Sequence, residues 1–150
     1  MEEAKISYSA KISETEKYED LNEIYGGTYT KNNPIEIDIQ IWNNKYGTTE
    51  VKTLNNFALN IYFDKYEDAS LLNFLTVVYN DIEEMSLNYG DGYVVANFLD
   101  VVSISGLPNN GNEINKDNYI KLKLIFNVDN DNIELKTKDL KTINLEIVEQ

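Results

Sequence analysis

The sequence predicts a mainly β (α+β) protein, an antiparallel β-sandwich or small barrel with one packed helix at about 69–80 and an N-terminal arm. Three observations carry this. Several segments alternate apolar and polar residues with the period of two that a half-buried strand requires. Links rich in Asn and Gly separate those segments. The apolar period turns helical only once along the chain.

Residues 1–33 read as the arm and 34–150 as a single β-rich domain. In the arm Ile6, Tyr8, Ala10 and Ile12 alternate with Lys5, Ser7, Ser9 and Lys11, and a weak helical stretch over 18–25 ends at Gly26-Gly27. Such an arm can pair as an edge strand, within the chain or on a neighbour. Pro34 then opens the clearest strand, Ile35-Glu36-Ile37-Asp38-Ile39-Gln40-Ile41, at the position where a missing N–H costs least. Asn43-Asn44-Lys45-Tyr46-Gly47 follows as a turn, and Phe57, Leu59, Ile61 and Phe63 repeat the strand pattern.

Leu71, Leu72, Leu75, Val78 and Tyr79 then fall on one stripe of a helix. Asp68 or Ser70 can cap it, and the acids Glu67 and Asp68 suit the positive end of its dipole. Residues 82–89 and 93–99 flank Gly90-Asp91-Gly92, a link that favours a hairpin. The strand predicted over 93–105 is apolar on both faces, with Val94, Phe98, Val102 and Ile104 on one and Val95, Leu99 and Val101 on the other. It is either a covered central strand or a surface buried by another subunit. After a loop over 106–118, Ile120, Leu122, Leu124, Phe126 and Val128 form the longest one-faced strand. Asp129-Asn130-Asp131-Asn132 turns the chain into a strand over 133–137, and Ile143, Leu145 and Ile147 make the last one.

Composition excludes several functions. The 150 residues contain no Arg, His or Cys, the residue types that most often clamp phosphate, move protons near neutral pH, or supply nucleophiles and thiolate ligands. Catalysis is not expected, and no catalytic residue, cofactor or metal site is predicted. The net charge of −13 disfavours direct nucleic-acid binding and anionic lipid. The excess is concentrated in residues 64–100, which carry eight carboxylates and one lysine; they form either an acidic face or an ordinary solvated surface. The N-terminus has no basic or long apolar run, and no stretch approaches the ~20 apolar residues of a membrane span, so a soluble, uncleaved chain is expected. Twenty-one Asn, 16 Ile and 13 Lys beside no Arg are what an A+T-rich coding sequence gives.

The remaining motifs are weaker. Residues 129–134 place oxygen ligands at alternate positions, as calcium loops do, but lack the glycine at the sixth loop position and the glutamate at the twelfth, so a polar turn is the better reading. Carboxylate pairs such as Glu83/Glu84 point to opposite faces of a strand, which argues against a glycosidase-like pair. Trp42, Tyr46, Tyr62, Tyr66, Tyr89 and Tyr93 lie at predicted strand ends. Beside Asn and Asp they suit sugar stacking, and they equally suit protein interfaces.

The run from Val94 to Pro108, a loop, and Tyr119 to Phe126 resemble strand-loop-strand passages of bacteriophage tail and baseplate proteins, including ring-forming β-sandwich subunits of the tail tube. The resemblance implies a non-enzymatic structural subunit of a virion or phage-tail-like particle, assembled in the host cytoplasm. Its expected partners are itself and/or other virion proteins, with no membrane and no direct nucleic-acid contact. The candidate contact residues are Ile6, Tyr8 and Ile12 of the arm, and Val95, Leu99 and Val101 of the two-faced strand. The competing reading makes these an internal edge strand and a buried core strand. The alternative function is a carbohydrate-binding β-sandwich module with exposed coplanar aromatics near Trp42.

Overall fold

The computed structural model describes residues 1–11, 18–20, 24–25, 34–81, 83–98, 102–127 and 142–149. In chain order its strands are β1 (Ile6–Lys11), β2 (Glu19–Asp20), β3 (Ile24–Tyr25), β4 (Ile35–Asn43), β5 (Phe57–Phe63), β6 (Leu75–Tyr79), β7 (Glu83–Glu84), β8 (Leu87–Tyr89), β9 (Val94–Asn97), β10 (Tyr119–Phe126) and β11 (Thr142–Glu149). They form a six-stranded sheet in the order β2-β1-β4-β10-β6-β7 and a five-stranded sheet in the order β3-β11-β5-β9-β8. The named strands pair antiparallel throughout, so the fold is the β-sandwich that the sequence predicts.

Register explains the core. Ile39 lies opposite both Ala10 and Leu122, and Ile37 opposite Leu124, which is in turn opposite Val77. One face of the four inner strands of this sheet, β1, β4, β10 and β6, is thus apolar, as period-two alternation demands. It closes on Leu59, Ile61, Val94 and Ala96 of the other sheet. Phe98 is fully buried, stacked on Phe57 with centroids 4.9 Å apart and set edge-on to Tyr79 at 6.1 Å, and Phe63 meets Phe126 at 5.6 Å.

The helix expected at 69–80 takes a different form. Tyr66–Phe74 is a 3-10 helix and Leu75–Tyr79 is strand β6. Leu71 and Leu72 are buried from the helix, but Leu75 and Val77 are buried on alternate positions of a strand. Four β-branched or aromatic residues in a row, Thr76 to Tyr79, favour that outcome, and Leu75 is common to the helical and the two-residue period.

The strand expected over 93–105 is also shorter. β9 ends at Asn97, and Ile104 returns only as an isolated bridge to Leu54. Val94, Ala96 and Phe98 point into the core, while Val95 faces outward between Asn60 and Asn88. The outer face at this point is polar.

Residues 6–11 of the expected arm lie inside the six-stranded sheet, with β4 on one side and β2 on the other.

Candidate functional site

Two glycines shape the most exposed aromatic surface. The β8–β9 hairpin turns through Gly90-Asp91-Gly92-Tyr93, closed by a hydrogen bond from Gly90 N–H to the Tyr93 carbonyl (2.9 Å). The Tyr93 ring lies so close over Gly90 that a Cβ there would sit 2.2 Å from it. Gly92 has φ +87°, and its missing side chain leaves room for the Tyr66 ring at 3.0 Å. The Tyr66 hydroxyl donates to Asp91 Oδ1 at 2.5 Å. That bond to a carboxylate raises the Tyr66 pKa above the ordinary phenol value, with the Asp91 charge acting in the same direction.

Tyr66, Tyr89 and Tyr93 are 70%, 56% and 41% exposed; the Tyr66 and Tyr93 rings lie over the turn, while Tyr89, paired with the core-facing Val94, stands on the opposite face of the hairpin from Tyr93. The site also borders a sheet edge, because β8 ends the five-stranded sheet. In the β8–β9 register, Gly90 and Tyr93 form a hydrogen-bonded pair, and the alternation of antiparallel pairing therefore turns the N–H and C=O groups of Leu87 and Tyr89 outward. The acids Asp64, Glu67 and Asp91 are exposed at the same end of the molecule.

The rest of the acidic middle segment lies elsewhere. Asp81 and β7 (Glu83–Glu84) follow β6, whose Leu75 end adjoins Phe126 and whose Tyr79 end points away from it. Asp64, Glu67 and Asp91 therefore lie at one end of the sandwich and Asp81, Glu83 and Glu84 at the other. Asn80 and Asp81, at φ 52° and 63°, turn the chain there in the left-handed region that Asn and Asp tolerate best.

A second aromatic group is structural. Trp42 is fully buried on the outer face of the six-stranded sheet, its Nε1–H donating to Gln40 Oε1 at 3.0 Å and its ring 4.3 Å from that of Tyr119. Lys45, 6% exposed, lies over the Trp42 ring at 5.0 Å and the Tyr46 ring at 5.4 Å. Its ammonium donates to Asp20 Oδ1 (2.7 Å) and Ser9 Oγ (3.2 Å), and the Tyr46 hydroxyl also donates to Asp20. Burial works against the Asp20 charge, but the hydrogen bonds from Lys45, Tyr46 and Ser9 prevail and hold its carboxyl below the usual carboxylate range. The cluster joins β2, β1 and the turn after β4.

Beside it, buried asparagines bind the loops of that end. Asn44 donates to the carbonyls of Thr49 (2.8 Å) and Gly106 (2.9 Å), Asn43 to that of Lys52 (2.9 Å), and Asn118 to that of Leu107 (2.8 Å).

Of the predicted contact residues, Ile6 and Tyr8 are half-buried against the core, and the Tyr8 hydroxyl accepts a hydrogen bond from Ile147 N–H of the opposite sheet (3.1 Å). Val95 is half-buried on a polar face, while Ile12, Leu99, Val101 and the 129–134 loop lie outside the described residues. The buried Trp42 has no face open to a sugar, and the exposed tyrosines among the described residues are Tyr46, Tyr66, Tyr89 and Tyr93. Among the described residues, no helix is long and apolar enough to cross a membrane. No protein family, curated protein or solved structure matched this chain.

Proposed function

We propose that this chain is a non-enzymatic structural subunit of a phage virion or phage-tail-like particle, working by protein–protein assembly through the tyrosine-faced turn. The observation that carries the reading is the exposure of Tyr66 and Tyr93 at the Asp91 turn, with the exposed Tyr89 and the outward backbone groups of β8 beside it at the sheet edge. Tyrosine is enriched in protein interfaces because it offers large contact area and a polar tip at low entropic cost. The glycines that admit the rings keep the turn compact, so docking there orders little that is not already fixed. The resemblance of 94–126 to tail and baseplate strands and the acidic, arginine-free composition support a virion setting over other assemblies.

Fractionation of particles from the source cells tests this. The chain is expected in the sedimenting particle fraction, and a Tyr66→Ser/Tyr89→Ser variant with an unchanged far-UV spectrum is expected to stay behind. Recovery of the wild-type chain wholly outside particles refutes the reading.

The second reading, a carbohydrate-binding module, draws on the same turn, since flat rings beside a carboxylate can stack on and hydrogen-bond a sugar. It predicts saturable binding on a glycan array that the same tyrosine variant abolishes.

A further inference from the structure

The loop over 106–118 carries the one Asn-Gly pair of the sequence, Asn110-Gly111. Asparagine followed by glycine is prone to lose its side-chain amide, because no Cβ on the next residue shields the backbone nitrogen. In that reaction the Gly111 nitrogen attacks Cγ of Asn110. An N–C bond forms, closing a cyclic succinimide, while the bond from Cγ to the side-chain nitrogen breaks. The Gly111 amide proton leaves with that nitrogen as ammonia. Solvent water then opens the ring at either carbonyl and gives Asp or isoaspartate.

The folded loop opposes the ring closure. Asn110 and Gly111 have φ 55° and 77°, and Asn112 N–H donates to the Asn109 carbonyl at 2.9 Å. The two are thus the central residues of a type I′ turn. Closure needs the Gly111 nitrogen eclipsed with Cβ of Asn110 about the Cα–C bond, and type I′ geometry turns that nitrogen to the far side. The nitrogen is also occupied, since Gly111 N–H donates to the Lys45 carbonyl at 2.6 Å. Asn109 Nδ2 donates to the same carbonyl at 2.9 Å, and the backbone N–H groups of Asn109 and Asn110 donate to that of Gly47 at 3.0 and 3.2 Å. The Tyr46 ring covers Gly111, 3.2 Å from where a Cβ would lie. Asn110 itself is exposed, so the departing ammonia and the incoming water have free passage.

We infer that Asn110 is a masked deamidation site, which reacts only while the 109–112 turn is lifted off Lys45 and Gly47. Lys45 is fixed in place by its ion pair with Asp20 at 2.7 Å, so the mask rests on the contact that ties β2 to this turn. The two products differ in consequence. An Asp at 110 can resume the left-handed turn, which Asp tolerates. An isoaspartate adds a methylene to the main chain, so the Gly111 and Asn112 N–H groups lose register with their carbonyls and the loop cannot close again.

The test is peptide mapping by mass spectrometry of the full chain, aged at mildly alkaline pH with and without guanidinium. Fragmentation localises the deamidation and separates Asp from isoaspartate. Deamidation at Asn110 is expected to be at least about tenfold slower in the folded chain than in guanidinium, which is an opening free energy of about 1.4 kcal/mol or more. Asn109→Ala removes the Asn109 side-chain bond to the Lys45 carbonyl and is expected to raise the folded rate about threefold to tenfold. Tyr46→Ser uncovers Gly111 from an exposed position, is expected to act in the same direction, and serves where Asn109→Ala fails to fold by circular dichroism. Equal rates in the folded and unfolded chain overturn the inference, and so does an Asn110 that stays intact in guanidinium. A folded variant that keeps the wild-type rate overturns it as well.

Discussion

Replacing Asp20 by Asn keeps the side-chain shape and removes the charge that neutralises Lys45. Breaking a buried ion pair from one side costs about 3–5 kcal/mol when the remaining charge is fully enclosed. Asp20 is 40% exposed, so water reaches the site and the loss falls to that of a hydrogen bond to a charged group, about 2 kcal/mol. In a 150-residue chain each 1 kcal/mol moves Tm by about 2–4 °C, so Asp20→Asn is expected to melt about 4–8 °C lower. Lys45→Met keeps the aliphatic stem on Trp42 and Tyr46 and leaves Asp20 to the solvent, so it is expected to cost under about 1 kcal/mol. The double variant is expected to match Lys45→Met alone, a coupling measured by a double-mutant cycle in guanidinium.

The pH dependence follows from the direction of the Asp20 shift. A carboxylate whose folded pKa lies below its unfolded value, near 3.8, contributes its full stabilisation above that value. The contribution is lost as pH falls through the lower, folded value. Wild-type stability is therefore expected to fall more steeply than that of Asp20→Asn below about pH 4, and the two are expected to converge in acid. Equal costs for Asp20→Asn and Lys45→Met, or parallel pH profiles, refute the argument.

Other substitutions separate packing from backbone constraint. At Gly106 a Cβ would lie 2.1 Å from the Val51 backbone oxygen, so Gly106→Ala must shift main chain and is expected to cost about 2–3 kcal/mol in denaturant titration. Gly90→Ala meets only the exposed Tyr93 ring, which can swing away, and is expected to cost under about 1 kcal/mol while weakening docking at the turn. Asn44→Asp replaces an amide donor facing the carbonyls of Thr49 and Gly106 by an acceptor and is expected to cost about 3 kcal/mol or more. Phe98→Ala empties a fully buried site between Phe57 and Tyr79 and is expected to cost about 3–5 kcal/mol.

The strands were legible where burial is one-sided. β5 spans the expected Phe57–Phe63, and β4 extends the expected 35–41 by two residues, because alternation encodes which face meets the core. It failed at 75–79, where Leu71 and Leu72 of a 3-10 helix continue into a strand and the joined spacing imitates a helical stripe. The burial of Lys45 was illegible, since its polar partners Asp20 and Ser9 are distant in sequence. The binding of loop carbonyls by Asn44 and Asn118 was hidden for another reason: in so Asn-rich a chain, residue type alone does not mark the structural ones. Gly90 and Gly92 were legible as a turn, but Tyr66 joins it from 25 residues away.

Position in the sheet also decides how assembly can be probed. β1 lies between β2 and β4, so deleting residues 1–33 removes sheet strands and tests folding before it tests contact, whereas substitutions at Tyr66 and Tyr89 leave the core intact. The most direct test of the central claim is therefore quantitative mass spectrometry of purified particles from cells making either the wild-type chain or Tyr66→Ser/Tyr89→Ser. The account predicts a fixed copy number of the wild-type chain per particle and loss of the variant, with both chains melting within about 3 °C of each other. Equal incorporation of the two, or absence of both from particles, would contradict it.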